Sequence, residues 1–303
     1  MNIRFRQIFL LIVVFLYLKT GVNAMRIPEQ VKEIVIFIYI KGSDGKLIPN
    51  GTAFFVGVKD QKKEDRFWVY LITAKHVLCE KEDGPFLPFI YLRLDKLEGG
   101  TEIVELPVVL SGETQTVFFH SDPTVDLVAI PVLPDQNKYL FKFLPEEMIS
   151  TQEQFKSLKI SEGSEVFFTG LFLPHIGELR NLPIVRFGRV ALVTPERVNW
   201  NGKKIELYLI ESSSYGGNSG SPVFFYLGSD REPGSLVVGP PVLVLAGVIK
   251  GSFQDIKPIQ VTNTSPIAVS VSNLGISAVV PAFKLSELLQ SSDLKKRRGS
   301  EGE

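Results

Sequence analysis

Apolar residues in this chain gather in short runs bounded by Gly, Pro, Asp or charged residues. The runs Val31–Ile40, Gly51–Val58, Phe67–Thr73, Phe89–Leu94, Glu102–Leu110 and Leu127–Val132 are rich in Ile, Val, Phe and Tyr. Such runs, closed by turn chemistry, predict strands. Between Pro131 and Ser161 the pattern lapses into a connector with Pro134, Pro145 and room for one helical turn. A second series follows: Glu165–Leu171, Ile184–Val193, Lys204–Ile210, Ser221–Phe225, Val242–Ile249 and Ile276–Val280. Ala282–Leu289 carries Phe283, Leu285, Leu288 and Leu289 at helical spacing. Two series of about six strands with little helix predict an all-β protein, as two sandwiches or two barrels, and pattern alone does not choose between these. Gly228–Pro241 and Gln254–Asn273 read as long loops, and Ser291–Glu303 as a disordered tail.

The N-terminus changes the expected location. Arg4 and Arg6 precede an apolar run from Ile8 to Leu18, and Val22 and Ala24 stand at −3 and −1 of a cut after Ala24. That is the layout of an export signal over residues 1–24. The alternative is a retained anchor, but a helix of that run rises only about 16 Å against a hydrocarbon core of roughly 30 Å. The expectation is export, to a periplasm or the extracellular space, with no stable membrane span after signal removal. Composition then narrows the partners. Lys plus Arg number 33, as do Asp plus Glu, and a neutral chain gives no reason to invoke nucleic acid. Cys79 is the single cysteine, so no internal disulfide exists and packing alone must hold the fold. It reads as a buried apolar residue rather than a catalytic thiol. His120 and His175 lack metal-ligand spacing, and no metal or cofactor is expected. No fixed-period repeat and no nucleotide-binding glycine motif is present.

Three segments carry candidate chemistry. Tyr215-Gly216-Gly217-Asn218-Ser219-Gly220-Ser221-Pro222-Val223 surrounds a serine with glycines, which permit a sharp turn that aims backbone N–H groups at an anion. Thr73-Ala74-Lys75-His76-Val77 places a histidine at the end of an apolar strand, and Asp122-Pro123-Thr124-Val125-Asp126-Leu127 places acids just before another. A serine hydroxyl becomes a nucleophile when a histidine removes its proton and a carboxylate steadies the imidazolium. Taken singly, each segment also fits an ordinary turn or strand end.

Together and in this order, the segments resemble trypsin-like serine peptidases, especially the HtrA-like branch, with Thr-Ala, one variable residue and His in one segment and Gly-Asn-Ser-Gly in another. Gly51–Val56, Gly163 with Val166–Gly170, Ile184–Val190 and Leu245–Ile249 support the resemblance over Glu29 to Leu289. It implies two six-stranded antiparallel chymotrypsin-like β-barrels (about 30–140 and 160–281) within a peptidase domain of 25–290, closed by a helix at 282–289. It implies His76 as general base, Asp126 as the triad acid with Asp122 as fallback, and Ser219 as nucleophile. The N–H groups of Gly217 and Ser219 would form the oxyanion hole. Ser213, Lys250, Gly251 and Ser252 would border the substrate pocket, with the Lys250 ammonium facing either an acidic substrate side chain or solvent. The implied activity is endopeptidase cleavage of a polypeptide through an acyl-enzyme. The alternatives are a noncatalytic protein-binding module on the same fold and an exported β-sandwich. Ser221 departs from the second glycine common in the family, and no PDZ-like domain is expected after the closing helix.

Overall fold

The computed structural model describes residues 27–63, 65–228, 241–259 and 268–299. The expected export signal, most of the loop at 228–241 and the middle of 254–273 lie outside the described residues.

The N-terminal half is one antiparallel sheet. Helix α1 (Gln30–Glu33) is a single turn occupying the start of the first expected strand. Strands β1 (Val35–Lys41), β2 (Leu47–Lys59), β3 (Phe67–Thr73), β4 (Phe89–Lys96), β5 (Thr101–Pro107), β6 (Phe118–Phe119) and β7 (Val128–Pro131) pair in the order β5-β4-β1-β2-β3-β7-β6. The short strands β8 (Tyr139–Leu140) and β9 (Leu144–Pro145) attach to β4 and β2, making nine strands in all. The expectation of a closed six-stranded barrel here is corrected. No ladder joins β5 to β6 among the described residues. Pro107, without an N–H, ends β5, and the chain turns through Gly112 at φ +90 before β6 pairs for only two residues.

After helix α2 (Gln152–Ser157), capped by a reciprocal Thr151–Gln154 box, the C-terminal half closes on itself. Strands β10 (Glu165–Gly170), β11 (Ile184–Leu192), β14 (Tyr208–Glu211), β15 (Pro222–Leu227), β16 (Val242–Ile259) and β17 (Ala268–Pro281) form a closed barrel ordered β10-β11-β14-β17-β16-β15. Strands β12 (Val198–Trp200) and β13 (Lys203–Ile205) form a separate hairpin. The loop expected from Gln254 is strand up to Ile259 and again from Ala268, with Ile259 opposite Ala268.

Alternation explains why several strands read as continuous apolar runs. In β2, Ala53 and Phe55 face a core inside the sheet, whereas Phe54, Val56 and Val58 face a second core. In β10, Val166 and Phe168 fill the barrel, whereas Phe167 faces that same second core and stacks on Phe224 at 5.2 Å. The second core is the layer between sheet and barrel, so strands bordering it are buried on both faces. Burial of each such side chain is worth about 1.5–3 kcal/mol.

Helix α3 (Ala282–Leu289) buries Ala282, Leu285, Leu288 and Leu289 against this layer. The tail expectation is also corrected, because residues 292–298 form helix α4 (Ser292–Arg298), ended by Gly299 at φ +68. Its sequence is charged, but Leu294 is fully buried, and Arg298 donates to the Tyr70 hydroxyl at 3.0 Å and the Leu289 carbonyl at 2.8 Å.

Candidate active site

The site lies where the nucleophile-like turn meets the N-terminal sheet. Beyond β3, a 3-10 turn (Lys75–Leu78) carries His76, anchored by buried Val77 and Leu78. The Asn50 side-chain amide donates to the Val77 carbonyl at 2.9 Å. Asp122 builds the neighbouring turn: its carboxylate accepts from the Thr124 N–H and hydroxyl and pairs with Arg197 at 3.0 Å. That turn delivers Asp126, 4% exposed, to the imidazole.

Asp126 grips His76 twice. Oδ2 lies 2.7 Å from Nδ1, and Oδ1 accepts the His76 backbone N–H at 3.1 Å. A carboxylate at Nδ1 selects the tautomer with its proton there and leaves the Nε2 lone pair as the base, an assignment that follows from the hydrogen-bond pattern. Nε2 has no hydrogen-bond partner among the described residues.

Ser219 sits in a turn held from several sides. Gly217 and Gly220 take φ +90 and +86. A Cβ on Gly220 would lie 2.1 Å from the Thr52 carbonyl oxygen, so only glycine fits. The buried Asn218 side chain donates to the Leu171 carbonyl at 2.7 Å and accepts the Tyr215 N–H at 2.9 Å. Thr52 clamps the turn to β2: its N–H donates to the Ser219 carbonyl at 3.0 Å and its hydroxyl to the Gly217 carbonyl at 2.7 Å. Ser221 is accommodated because a Cβ on Gly170 would fall 1.9 Å from its Oγ. The N–H groups of Asn218, Gly220 and Ser221 bond to Tyr215, Ile249 and Asn218 carbonyls. Those of Gly217 and Ser219 meet no backbone carbonyl among the described residues.

His76 and Ser219 line one cleft of about 600 Å³, together with Gly216, Lys250, Gly251 and Ser252. Ser213 does not line it. No hydrogen bond joins Ser219 to His76 among the described residues; the Ser219 hydroxyl donates to the Lys250 carbonyl at 3.0 Å.

The Lys250 side chain is 5% exposed, so it does not point to solvent. Its ammonium donates to Asp126 Oδ2 at 2.8 Å and Glu82 Oε1 at 2.7 Å, and lies 5.2 Å from the Trp200 ring centroid. Burial acts to raise the Asp126 pKa, but His76 and Lys250 outweigh it and hold the carboxyl well below the ordinary range. Burial acts to lower the Lys250 pKa, and Asp126 and Glu82 outweigh it and hold the ammonium above its usual value. Glu82 in turn accepts from Trp200 Nε1 at 2.8 Å and Asn201 Nδ2 at 3.2 Å, tying the β12–β13 hairpin to the site.

A second, largely apolar cavity of about 400 Å³ adjoins the His76–Asp126 pair, lined by Cys79, Phe86, Phe119 and Trp200 among others. Burial and the nearby Asp126 push the Cys79 thiol pKa up, so a thiolate is disfavoured. His120 bonds Glu287 at 2.8 Å, and His175 is exposed in a loop. Among the described residues no group of three or more His, Cys, Asp or Glu is arranged to hold a metal, and no helix is long and apolar enough to cross a membrane.

Sequence reasoning missed Thr52, Glu82 and Trp200. Thr52 had a signal in the small residues of Gly51-Thr52-Ala53; Glu82, in a charged loop, had none.

No family model matches the sequence, and no curated protein sequence matches it. Among solved structures, the protease domain of MamO from Magnetospirillum magneticum, in its apo form, is similar at a TM-score of 0.47 and 16% identity. The match covers 87% of this chain and 99% of that one.

Proposed function

We propose that this protein is an exported serine endopeptidase that hydrolyses peptide bonds through Ser219, His76 and Asp126. The observation that carries the reading is the doubly held His76–Asp126 pair, whose remaining ring nitrogen has no partner among the described residues and lies in a cleft shared with Ser219. In the reaction, the Ser219 hydroxyl rotates from the Lys250 carbonyl to Nε2. His76 takes its proton as Oγ attacks the peptide carbonyl, and Asp126 stabilises the imidazolium. The oxyanion is received by the N–H groups of Gly217 and Ser219, which meet no backbone carbonyl among the described residues. His76 then protonates the departing amine, and water repeats the sequence on the acyl-enzyme. Gly251 and Ser252 bring no charge to the cleft, and the Lys250 ammonium is engaged by Glu82 and Asp126 rather than free for a substrate acid; this favours an uncharged substrate side chain.

A second reading, a noncatalytic protein-binding module, draws on the Ser219 hydroxyl bonding Lys250 rather than His76. Treating the protein from residue 25 onward with a fluorophosphonate separates the two. The enzyme labels at one site, and Ser219→Ala loses more than a hundredfold in labelling rate. Absence of labelling in the parent protein favours the binding module.

A further inference from the structure

Lys250 is a buried cation whose stem leaves the cleft strand and whose head turns back to the Asp126 carboxylate. The same oxygen, Oδ2, meets His76 Nδ1 at 2.7 Å and Lys250 Nζ at 2.8 Å. A single acceptor is thus divided between two donors, and only one of them is the base. We propose that Lys250 is a positioning residue that shares the Asp126 carboxylate with His76, and so sets how much of that negative charge the imidazole feels.

The inference rests on the hydrolase reading for its consequence in catalysis, but the sharing is a statement about charge. Asp126 and Glu82 bring two negative charges and Lys250 one positive charge, so the cluster carries one net negative charge with His76 neutral. Protonation of His76 during attack brings it to neutrality. Without the ammonium, the imidazole would face a more negative cluster, which stabilises its cation further. The base would then be occupied by a proton over more of the working pH range. A nearby like charge disfavours an imidazolium, so the Lys250 ammonium acts to keep His76 unprotonated.

Glu82 is the counterweight. It pulls the same ammonium from the other side at 2.7 Å and is itself held by Trp200 and Asn201. The β12–β13 hairpin thereby fixes where Lys250 places its charge. The other titratable groups on the walls of the adjoining cavity are Lys75, Cys79, Asp83, His120 and Lys203. Lys75 donates to the Pro123 carbonyl, Asp83 pairs with Lys203, and His120 pairs with Glu287. None of these shares the Asp126 carboxylate.

The test is the pH dependence of fluorophosphonate labelling for the parent protein and for Lys250→Met, Lys250→Arg and Glu82→Gln, with Ser219→Ala as blank. The acid limb is expected to move up by about 1 pH unit in Lys250→Met. It is expected to stay in place in Lys250→Arg and to move down in Glu82→Gln, where the ammonium is left wholly to Asp126. Coincident limbs in parent and Lys250→Met overturn the role of Lys250 and leave the hydrolase standing. If the parent does not label, the hydrolase reading falls, and the His76 imidazole titration by NMR decides the charge sharing: an upward move in Lys250→Met supports it and an unchanged midpoint overturns it. Should Lys250→Met not fold, Glu82→Gln decides alone by the same readouts, downward in support and unchanged against.

Discussion

Asp126 is ionised inside the protein because His76 and the Lys250 ammonium both donate to it, and this links its proton to stability. Its folded pKa lies below the ordinary carboxylate value of about 4. The stabilisation is therefore present above about pH 4 and is lost as pH falls toward the folded value, since the unfolded chain takes the proton first. In Asp126→Asn that linkage disappears. The urea-midpoint gap between parent and variant is expected to shrink as pH drops from about 5 to about 2. Lys250 has the opposite sign. Its folded pKa is raised, so its contribution is full below the unfolded value of about 10.4 and is lost as pH rises through the folded one. The two effects bound the range in which the Asp126–Lys250 contact supports the fold. At this scale the sequence reveals residues that sit in distinctive local strings, such as His76 after Thr73-Ala74. It hides Glu82, whose partners Trp200 and Lys250 reach it only through tertiary folding.

At the scale of elements, the turn around Ser219 is defined by what it presses against. Gly220 stands at φ +86 with the Thr52 carbonyl and Thr73 hydroxyl where a Cβ would go. Gly220→Ala is expected to cost at least about 2 kcal/mol, from left-handed strain and displacement of β2. Fluorophosphonate labelling should fall by more in this variant than the denaturation midpoint alone accounts for, because the displaced turn carries both Ser219 and its neighbouring donors. Strands such as Phe67–Thr73 and Glu165–Gly170 were legible because burial on one or both faces leaves an apolar run with polar ends. Barrel closure was not, since it depends on which distant edges pair: β10 finds β15, whereas β5 finds no β6. The strand beyond Gln254 was hidden for a related reason, since it exists through its ladder with the distant β17.

The whole molecule is joined by the layer between sheet and barrel, and helix α4 shows how far that joining reaches. Residues 292–298 read as solvated because five of the seven are charged, yet Leu294 packs into the shared core and Arg298, one turn later, reaches Tyr70 on β3. A short charged helix has little stability of its own. It forms because one apolar contact and one buried guanidinium bring the chain end back onto the N-terminal sheet. That core holds residues of both halves, from Phe54 and Tyr70 to Phe224, Val280 and Leu294. Unfolding one half would expose the other's buried face, so the two should melt together. Leu294→Ala is expected to cost about 2–5 kcal/mol. Monitored by circular dichroism and by the fluorescence of Trp68 in the sheet and Trp200 beside the barrel, it should move a single urea transition to lower concentration. Two separated transitions, or loss of the Trp68 signal alone, would mean that the sheet and the barrel are held independently and that the cleft between them is not fixed by a common core.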